Sequence, residues 1–374
     1  MSSPLHPAEL ASLSGGADSL ADRLLTGLGA AIDGSVLMGM QRAVDSLMMP
    51  SDAELPELMR SAEEMRSDAL LRDPGLFFDF DENDFEPLDV RVRRTRLLTR
   101  GRVERTRLRL RYRPHAATAA GAGAGEPGEV EVPVERWRHD GVPAATVIAL
   151  HGFTMGNPRI DSVVLMAGHW YRAGLDVALV TLPHHGVRTP EGARFSGESF
   201  AVPHVTRLAD AVRQASFELL ALRRWLAGDR GAPAGALGLS LGGYLTALLA
   251  ALDPGLAFAV PMAPPVCIGD LAWRFFERSG RRERGAAPAL ARSDLREAFR
   301  AHSPLAHGLA IDRRRLLIVA GRGDRIVPPE HPQSLYLHWG APDIHWFNGG
   351  HLAPFGRSAI IRAVQRHWRQ LDLR

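Results

Sequence analysis

From about residue 145 onward, short apolar runs alternate with longer stretches that carry apolar residues at helical spacing. The short runs predict buried strands and the longer stretches predict helices. The predicted strands are 145–150, 176–182, 235–239, 257–262, 315–320 and 343–347, and the predicted helices are 160–173, 205–227, 241–252, 332–339 and 357–371. This alternation indicates an α/β fold with a mostly parallel twisted sheet and helices on both faces.

The first 89 residues show a different pattern. Apolar residues recur at helical spacing in 21–49 and 54–71, and Pro50 and Pro74 mark breaks. We therefore divide the chain into an N-terminal helical extension, 1–89, and a main domain, 90–374. We expect the main domain to stay folded when the extension is deleted.

Arginine dominates residues 91–113 and alternates between 105 and 113 with uncharged residues, which are Thr106, Leu108, Leu110 and Tyr112. Period-two alternation predicts a strand with one cationic face. The segment is interpreted as an edge hairpin kept soluble by charge, as a phosphate or nucleic-acid surface, or as a strand that docks on the preceding acidic segment. Aromatic residues that could stack on bases are nearly absent, so we expect no nucleic-acid partner.

Residues 267–309 interrupt the alternation with a helical, arginine-rich segment. An insertion at this point would lie over the carboxyl ends of the strands, where ligands bind in such sheets. A cap or lid and a surface insertion without function both remain open.

Composition excludes several kinds of chemistry. All 45 basic residues are arginine, so lysine Schiff bases, lysine-anchored pyridoxal phosphate and P-loop lysines are excluded. Cys267 is the only cysteine, which rules out an intrachain disulfide and favours a cytoplasmic protein. The uncharged stretch 231–252 contains Pro233 and several glycines, and predicts a buried strand, turn and helix rather than a membrane span. We see no signal peptide at the N-terminus.

The pentapeptide Gly238-Leu239-Ser240-Leu241-Gly242 lies between a predicted strand and a predicted helix. A serine in such a tight turn presents its hydroxyl to a base, beside backbone N–H groups that can bind an oxyanion. Glycines allow the strained backbone and the close crossing of strand and helix. Ser240 is therefore the candidate nucleophile, if a base and an acid lie at the same edge of the sheet.

Two further polar residues follow predicted strands. Asp324 comes after strand 315–320 in a glycine-flanked turn, and His351 comes after the last strand and two glycines. Because ligand sites lie at the carboxyl ends of parallel strands, we expect His351 as the base and Asp324 as the acid that orients it. Asp270, which follows the preceding strand, is the rival acid.

The loop after the first central strand reads His151-Gly152-Phe153. Gly152 permits close approach of a substrate carbonyl, and we assign the oxyanion hole to the backbone N–H groups of Phe153 and Leu241. His151 is predicted to support this loop and not to act as the base.

Together these motifs resemble those of the α/β-hydrolase superfamily, of the serine esterase, lipase and thioesterase type, over residues 145–374. The resemblance implies Ser240, His351 and Asp324 as a catalytic triad. The loop Pro183-His184-His185-Gly186 corresponds to one that often reads P-G-H-G in relatives. Its histidines are interpreted either as pocket-lining or as part of the loop structure, and residues 1–89 have no assigned counterpart.

The resemblance implies hydrolysis of a small-molecule carboxylic ester or thioester through an acyl-enzyme, with no cofactor and no metal. A serine at the turn argues against haloalkane and epoxide hydrolysis, which in this superfamily use an aspartate there. The alternatives are a serine acyltransferase, peptidase or perhydrolase on the same fold, a non-catalytic binding protein that kept the fold, and a protein that binds nucleic acid or a membrane surface through arginines. Acyl and leaving-group specificity and oligomeric state are left open.

Overall fold

The structure is a computed structural model that describes residues 19–48, 55–118, 126–200, 205–278 and 291–373. A ten-stranded sheet runs through the described residues in the order β1-β2-β3-β5-β4-β6-β7-β8-β9-β10. Its strands are β1 (Asp89–Leu98), β2 (Gly101–Tyr112), β3 (Gly128–His139), β4 (Thr146–Leu150), β5 (Asp176–Val180), β6 (Ala234–Leu239), β7 (Ala259–Met262), β8 (Leu317–Gly321), β9 (Asp343–Gly349) and β10 (Pro354–Phe355). Strands β4 to β9 are parallel, whereas β1 to β3 and β10 pair antiparallel with their neighbours.

Helices cover both faces of the parallel part, as the alternating pattern predicts. They are α1 (Leu20–Met48), α2 (Leu55–Met65), α3 (Asp68–Arg72), α4 (Pro158–Val164), α5 (Ala167–Arg172), α6 (Val205–Arg230), α7 (Leu241–Leu252), α8 (Ile268–Arg278), α9 (Arg292–Ala298), α10 (Glu330–His338) and α11 (Arg357–Gln370). In β4, Ile148 and Leu150 face one core while Val147 and Ala149 face the other. A strand that is buried on both faces is apolar at nearly every position. For this reason β4 does not alternate between apolar and polar residues.

Two predicted helices are each broken in the structure. The stretch 160–173 forms α4 and α5, separated at Met166, whose φ of 59° lies in the left-handed region. The break lets Trp170 bury its ring against Trp368, with ring centroids 4.8 Å apart, while its Nε1 donates to Leu165 O. The stretch 54–71 likewise forms α2 and α3. Long-range packing decides such breaks, so apolar spacing alone did not predict them.

The arginine-rich segment forms the antiparallel strands β1 and β2, and β2 has the predicted single cationic face. Leu108 and Leu110 are buried, while Arg107 and Arg109 are exposed. On the neighbouring β3, glutamates meet these arginines, with Arg107 2.9 Å from Glu131 and Arg109 3.4 Å from Glu129. These ion pairs reduce the net charge of the face, and the absence of a nucleic-acid partner stays a prediction.

The N-terminal residues share the core of the sheet. Phe77 and Phe85 belong to the same buried cluster as Leu108 of β2. Arg213 of α6 donates to the backbone carbonyls of Phe77 (2.7 Å) and Asp79 (2.9 Å). The expectation that the main domain stays folded without residues 1–89 conflicts with this packing, because deletion would expose the core beneath these rings. The boundary at residue 89 itself stays a prediction.

Replacing Phe77 by alanine is expected to lower the free energy of unfolding by about 3–5 kcal/mol, the usual cost of removing a buried phenylalanine ring. Phe77 is 0% exposed, whereas its neighbour Leu76 is 43% exposed. Leu76→Ala is therefore the matched control, and should change stability by less than about 1 kcal/mol. Urea unfolding of both variants measures the difference. Equal effects would show that the rings of the extension are not part of the main core.

The insertion predicted at 267–309 contains α8 and α9, and residues 279–290 lie outside the described part of the chain. Arg66, which directly follows α2, pairs with Glu297 of α9 at 2.9 Å and attaches this region to the N-terminal helices. Whether the insertion acts as a lid stays a prediction. Within the described ranges, no helix combines the length and the apolar character that crossing a membrane requires.

Candidate active site

Ser240 occupies the turn between β6 and α7, as the pentapeptide predicts. Its φ of 56° and ψ of −115° are strained for a residue with a side chain, at a typical cost of about 1–3 kcal/mol. Hydrogen bonds fix the turn on both sides: the Ser240 N–H donates to Met262 O, and the Tyr244 N–H donates to Ser240 O, each at 2.9 Å. The serine is thereby held at the carboxyl end of β6, with its backbone anchored to β7.

The glycines of the motif are required by contact between strand and helix. A Cβ on Gly238 would lie 2.1 Å from Gly242 O, and one on Gly242 would lie 2.1 Å from Leu150 O. Real Cβ atoms do not approach carbonyl oxygens so closely. Any larger residue at either position would therefore push α7 away from the sheet and displace Ser240.

His351 and Asp324 meet at the same edge of the sheet, as the order of the motifs predicts. The Nδ1 of His351 lies 2.6 Å from Asp324 Oδ2, and the two side chains are only 7% and 1% exposed. The other oxygen of Asp324 accepts from the N–H groups of Ile326 (3.0 Å) and Val327 (2.7 Å). Because a carboxylate only accepts, the ring donates from Nδ1, and its Nε2 is left as an acceptor.

The surroundings of His351 favour its protonated form. Burial lowers the pKa of the ring, but the charge of Asp324, the hydrogen bond to it and the charge of Asp33 together raise the pKa above its ordinary value. An imidazole held next to a buried carboxylate is suited to take up a proton during a reaction.

The structure does not bring all three predicted catalytic groups into hydrogen-bond contact. Among the described residues, no hydrogen bond joins the Ser240 hydroxyl to the His351 ring. Catalytic hydrogen bonds are often long in enzymes without substrate and tighten when substrate binds. His351 and Asp324 are therefore in contact, whereas their catalytic roles and the contact of His351 with Ser240 stay predictions.

The loop after β4 lies directly beside Ser240. A Cβ built on Gly152 would be 3.6 Å from the Ser240 Cβ. His151 supports this loop, since its Nε2 accepts from the Leu182 N–H (3.2 Å) and its Nδ1 donates to Gly152 O (2.9 Å). Burial lowers the pKa of His151 to about 4, so the ring is neutral at pH 7. Its two ring nitrogens are occupied, in agreement with the predicted structural role.

The predicted oxyanion donors lie on the two segments that flank this point. Phe153 follows Gly152 in the β4 loop, and Leu241 is the first residue of α7. The first N–H groups of a helix have no acceptor within the helix and carry its positive dipole end. Both residues are therefore placed where N–H groups could face an oxygen bound near Ser240, and their role stays a prediction.

The histidines of the loop 183–186 differ in their surroundings. His185 is buried, its Nδ1 donates to Pro183 O (2.8 Å), and burial lowers its pKa to about 3. A Cβ on Gly197 would touch the His185 ring. His184 is half-buried, with a φ of 59°. His185 thus belongs to the packed structure of the loop.

Asp270, the rival acid, is engaged elsewhere. It lies in the first turn of α8 and accepts hydrogen bonds from Arg292 (2.7 Å) and Arg296 (2.6 Å). Partial burial raises its pKa, but these hydrogen bonds and the arginine charges outweigh burial and lower the pKa to about 2. The acid that contacts His351 is Asp324.

A cavity of about 450 Å³ lies beside Asp324, between α1, α8 and the loop after β8. Neither Ser240 nor His351 lines it, so the cavity adjoins Asp324 and not the predicted nucleophile. Its charged lining residues are Arg23, Arg274, Arg322, Asp324, Arg325 and Glu330. In the part of the chain that the structure describes, no group of three or more His, Cys, Asp or Glu side chains could hold a metal ion.

Sequence analysis missed one residue of the site. Asp33, on α1, is 0% exposed and accepts a hydrogen bond from the backbone N–H of His351 at 2.6 Å. The available signal was a single acid within the apolar run Ala30-Ala31-Ile32-Asp33. That signal says nothing about a partner more than 300 positions away.

No family model matches this sequence. Two curated proteins of Mycobacterium tuberculosis, the uncharacterised proteins MT2702 of strain CDC 1551 and Rv2627c of strain H37Rv, are each 32% identical to it over 238 residues. The match covers 62% of this chain and 55% of each relative. The chain thus spans about half the length of the curated relatives that it matches.

Solved structures of similar fold cover a larger share of this chain than the sequence relatives do. An acetyl xylan esterase from Paenibacillus sp. R4 superposes with a TM-score of 0.56 and 15% identity, covering 80% of this chain and 99% of that one. Acetyl xylan esterase 1 from Thermoanaerobacterium sp. JW/SL YS485 gives a TM-score of 0.53 and 16% identity, covering 89% and 98%. At these identities the likeness establishes architecture only. Together with the sheet order and the turn at Ser240, it shows that this chain has the α/β-hydrolase fold, which confirms at the level of the fold the resemblance that its motifs predict.

Proposed function

We propose that this protein is a serine hydrolase of small-molecule carboxylic esters, with Ser240 as the nucleophile, His351 as the general base and Asp324 as its orienting acid. The observation that carries the proposal is the hydrogen bond between His351 and Asp324 at the carboxyl edge of the sheet. The strained turn at Ser240 ends a parallel strand at that same edge. An acid–base pair at the same sheet edge as a half-buried serine turn is the arrangement that acyl transfer requires.

In the first half of the reaction, Ser240 Oγ attacks the ester carbonyl while His351 Nε2 takes the hydroxyl proton. The carbonyl oxygen becomes an oxyanion, which the N–H groups of Phe153 and Leu241 stabilise. Removing one donor of this kind typically costs about 10²–10³ in turnover. When the tetrahedral intermediate collapses, the C–O bond to the leaving group breaks and His351 returns its proton to the leaving oxygen.

In the second half, a water molecule replaces the departed alcohol. His351 Nε2 takes a proton from this water, which attacks the acyl carbonyl of the acyl-enzyme. Collapse of the second intermediate releases the carboxylic acid, and His351 returns the proton to Ser240 Oγ. Asp324 stays ionised throughout and stabilises the imidazolium that forms in each half.

Acetyl esters are the first substrates to test, because two proteins of similar fold carry the name acetyl xylan esterase. Thioesters, and acceptors other than water, are the alternatives that a substrate panel separates. We also propose a cytoplasmic location and a reaction that needs no cofactor.

The proposal is tested by fluorophosphonate labelling of the purified protein. Such a probe forms a covalent P–O bond with an activated serine and releases fluoride. We expect one label, on the peptide that contains Ser240, and we expect it to be lost on denaturation and in Ser240→Ala. Ser216→Ala is the matched control, because Ser216 is a buried serine whose hydroxyl donates to Val212 O within α6. Labelling of another residue, or none, would contradict the proposal.

Activity is expected to fall at acidic pH. The neutral ring of His351 is the base, and the pKa of this ring is raised above its ordinary value, which is about 6.5. As the pH drops through the raised pKa, the ring becomes protonated and kcat/KM is lost; activity returns as the pH rises again. A pH profile of kcat/KM for p-nitrophenyl acetate measures this limb. A limb midpoint below that of free histidine would contradict the assignment of His351.

A further inference from the structure

The carboxylate of Asp33 connects the N-terminal helix to both loops of the acid–base pair. Its Oδ2 accepts from the backbone N–H groups of His351 (2.6 Å) and Arg325 (3.1 Å), and its Oδ1 accepts from the N–H of Leu352 (3.0 Å). The first and third donors belong to the loop after β9, and the second follows Asp324 in the loop after β8. One side chain of α1 therefore bonds to the residue after the acid and to the base itself.

We infer that Asp33 is a positioning residue of the active site, which holds the loop of His351 against the loop of Asp324 and so fixes the acid–base pair. The inference rests on the proposed function, since it concerns how the proposed base is placed. It also gives the N-terminal region, which sequence analysis left without a role, a part in building the site.

The backbones of α1 and the two loops are in direct contact. A Cβ on Gly29 would lie 2.2 Å from the Gly350 N, and one on Gly323 would lie 2.5 Å from Thr26 O. The loops also bond to each other, because the Gly323 N–H donates to Gly349 O at 2.9 Å. Glycines at these meeting points let the helix approach closely enough for the short side chain of Asp33 to reach three N–H groups.

The surroundings of Asp33 favour positioning over simple docking. Burying a carboxylate is costly unless its charge is compensated, and within the described ranges no ion pair involves Asp33. Its hydrogen-bonding capacity is directed at the backbone that carries His351 and follows Asp324. A helix that only covered apolar surface would not need a charged group at this point.

Asp33 also acts on the charge state of the base. Burial lowers the pKa of His351, while Asp324 and Asp33 raise it. Other charged side chains lie on the elements that surround the contact of α1 with the loop after β8. These elements are α1 itself, α8, the loop after β8 and the start of α10. The side chains are Asp22, Arg23, Arg274, Arg322, Arg325 and Glu330. None of these six side chains takes part in the hydrogen bonds of His351 described above, which Asp33 and Asp324 accept.

The test is Asp33→Asn in the full chain, which removes the charge and keeps the size and one acceptor oxygen. We expect kcat for p-nitrophenyl acetate to fall about 10- to 100-fold with KM little changed, since small displacements of a catalytic group cost rates of this order. We also expect the acidic limb of the kcat/KM profile to move to lower pH, because a neutral amide no longer favours the protonated ring. A purely structural role would lower activity without moving the limb.

Asp22→Asn is the matched control. Asp22 lies on the same helix and accepts from the Asn348 side chain of β9, and it is not among the charges that shift the pKa of His351. We expect its profile to match that of the unaltered protein. A profile for Asp33→Asn that also matches, or equal shifts in both variants, would overturn the inference.

A second pair of variants decides the question if Asp33→Asn does not fold. Gly29→Ala forces α1 away from Gly350, whereas a Cβ on Gly27 meets no atom within 4 Å. We expect Gly29→Ala to lower kcat at least about 10-fold relative to Gly27→Ala, while both keep the same circular dichroism. Equal kcat values would overturn the inference.

Failure of this inference differs from failure of the proposed function. If Ser240→Ala retains full ester hydrolysis, the proposed function is wrong whatever Asp33 does. If hydrolysis depends on Ser240 but the Asp33 and Gly29 variants behave like their controls, the function stands and only the role of Asp33 is wrong.

Discussion

Ser240→Ala is expected to lower kcat/KM for ester hydrolysis by about 10⁴- to 10⁶-fold, the range found when the nucleophile of a serine triad is removed. Without Oγ no acyl-enzyme forms, and only the oxyanion donors and binding remain. Stability should change by less than about 1 kcal/mol, because the hydrogen bonds of this turn use the backbone N–H and carbonyl of residue 240. Steady-state kinetics and a thermal melt measure the two effects.

Ser216→Ala serves as the control, since it removes a buried hydroxyl that donates to Val212 O within α6. It should leave kcat within about twofold while costing some stability, as loss of a buried hydrogen bond does. Turnover in Ser240→Ala equal to that of the unaltered protein would refute the proposed mechanism. A large drop in the melting temperature of Ser240→Ala would show that this variant loses activity by unfolding and not by loss of the nucleophile.

Asp324→Asn is expected to lower kcat by about 10³- to 10⁴-fold, through the wrong tautomer of the base. The N–H groups of Ile326 and Val327 need an acceptor, so the amide oxygen takes the place of Oδ1. The amide NH₂ then faces His351 Nδ1 and forces that nitrogen to accept. The proton of the ring moves to Nε2, which can no longer take the proton of Ser240. Single-turnover acylation rates measure this effect.

Asp270→Asn is the matched control for the acid. Asp270 accepts from Arg292 and Arg296, so its loss should affect the helices α8 and α9 and leave kcat within about threefold, as expected for a residue outside the catalytic contacts. If Asp270→Asn removes activity and Asp324→Asn does not, the assignment of the acid is wrong despite the contact with His351.

The local elements of the site were predictable from sequence. The helix 241–252 has the predicted bounds, and the strands that precede Ser240, Asp324 and His351 lie within about two residues of their predicted positions. Their order along the chain fixes which ends of parallel strands meet, so the contact of His351 with Asp324 followed from the pattern. Predictions of this kind succeed because strand, turn and helix are decided by residues close in sequence.

Other features depended on contacts that no local pattern records. The break at Met166 accompanies the burial of Trp170 against Trp368. The shared core of Phe77 with β2 joins a segment that the apolar pattern had separated from the main domain. In each case the packing of distant residues outweighs the preference of the local sequence.

By itself, then, the sequence determined the sheet, the turn at Ser240 and the candidate acid and base, because spacing and glycine placement leave few alternatives for such elements. Only the tertiary structure decided that α1 belongs to the site. Asp33 and His351 are 318 positions apart, and the N–H groups that donate to this carboxylate belong to the backbone, which has no sequence signature. A buried charge is stable only where folding supplies its partners, so its role became visible only with the folded chain.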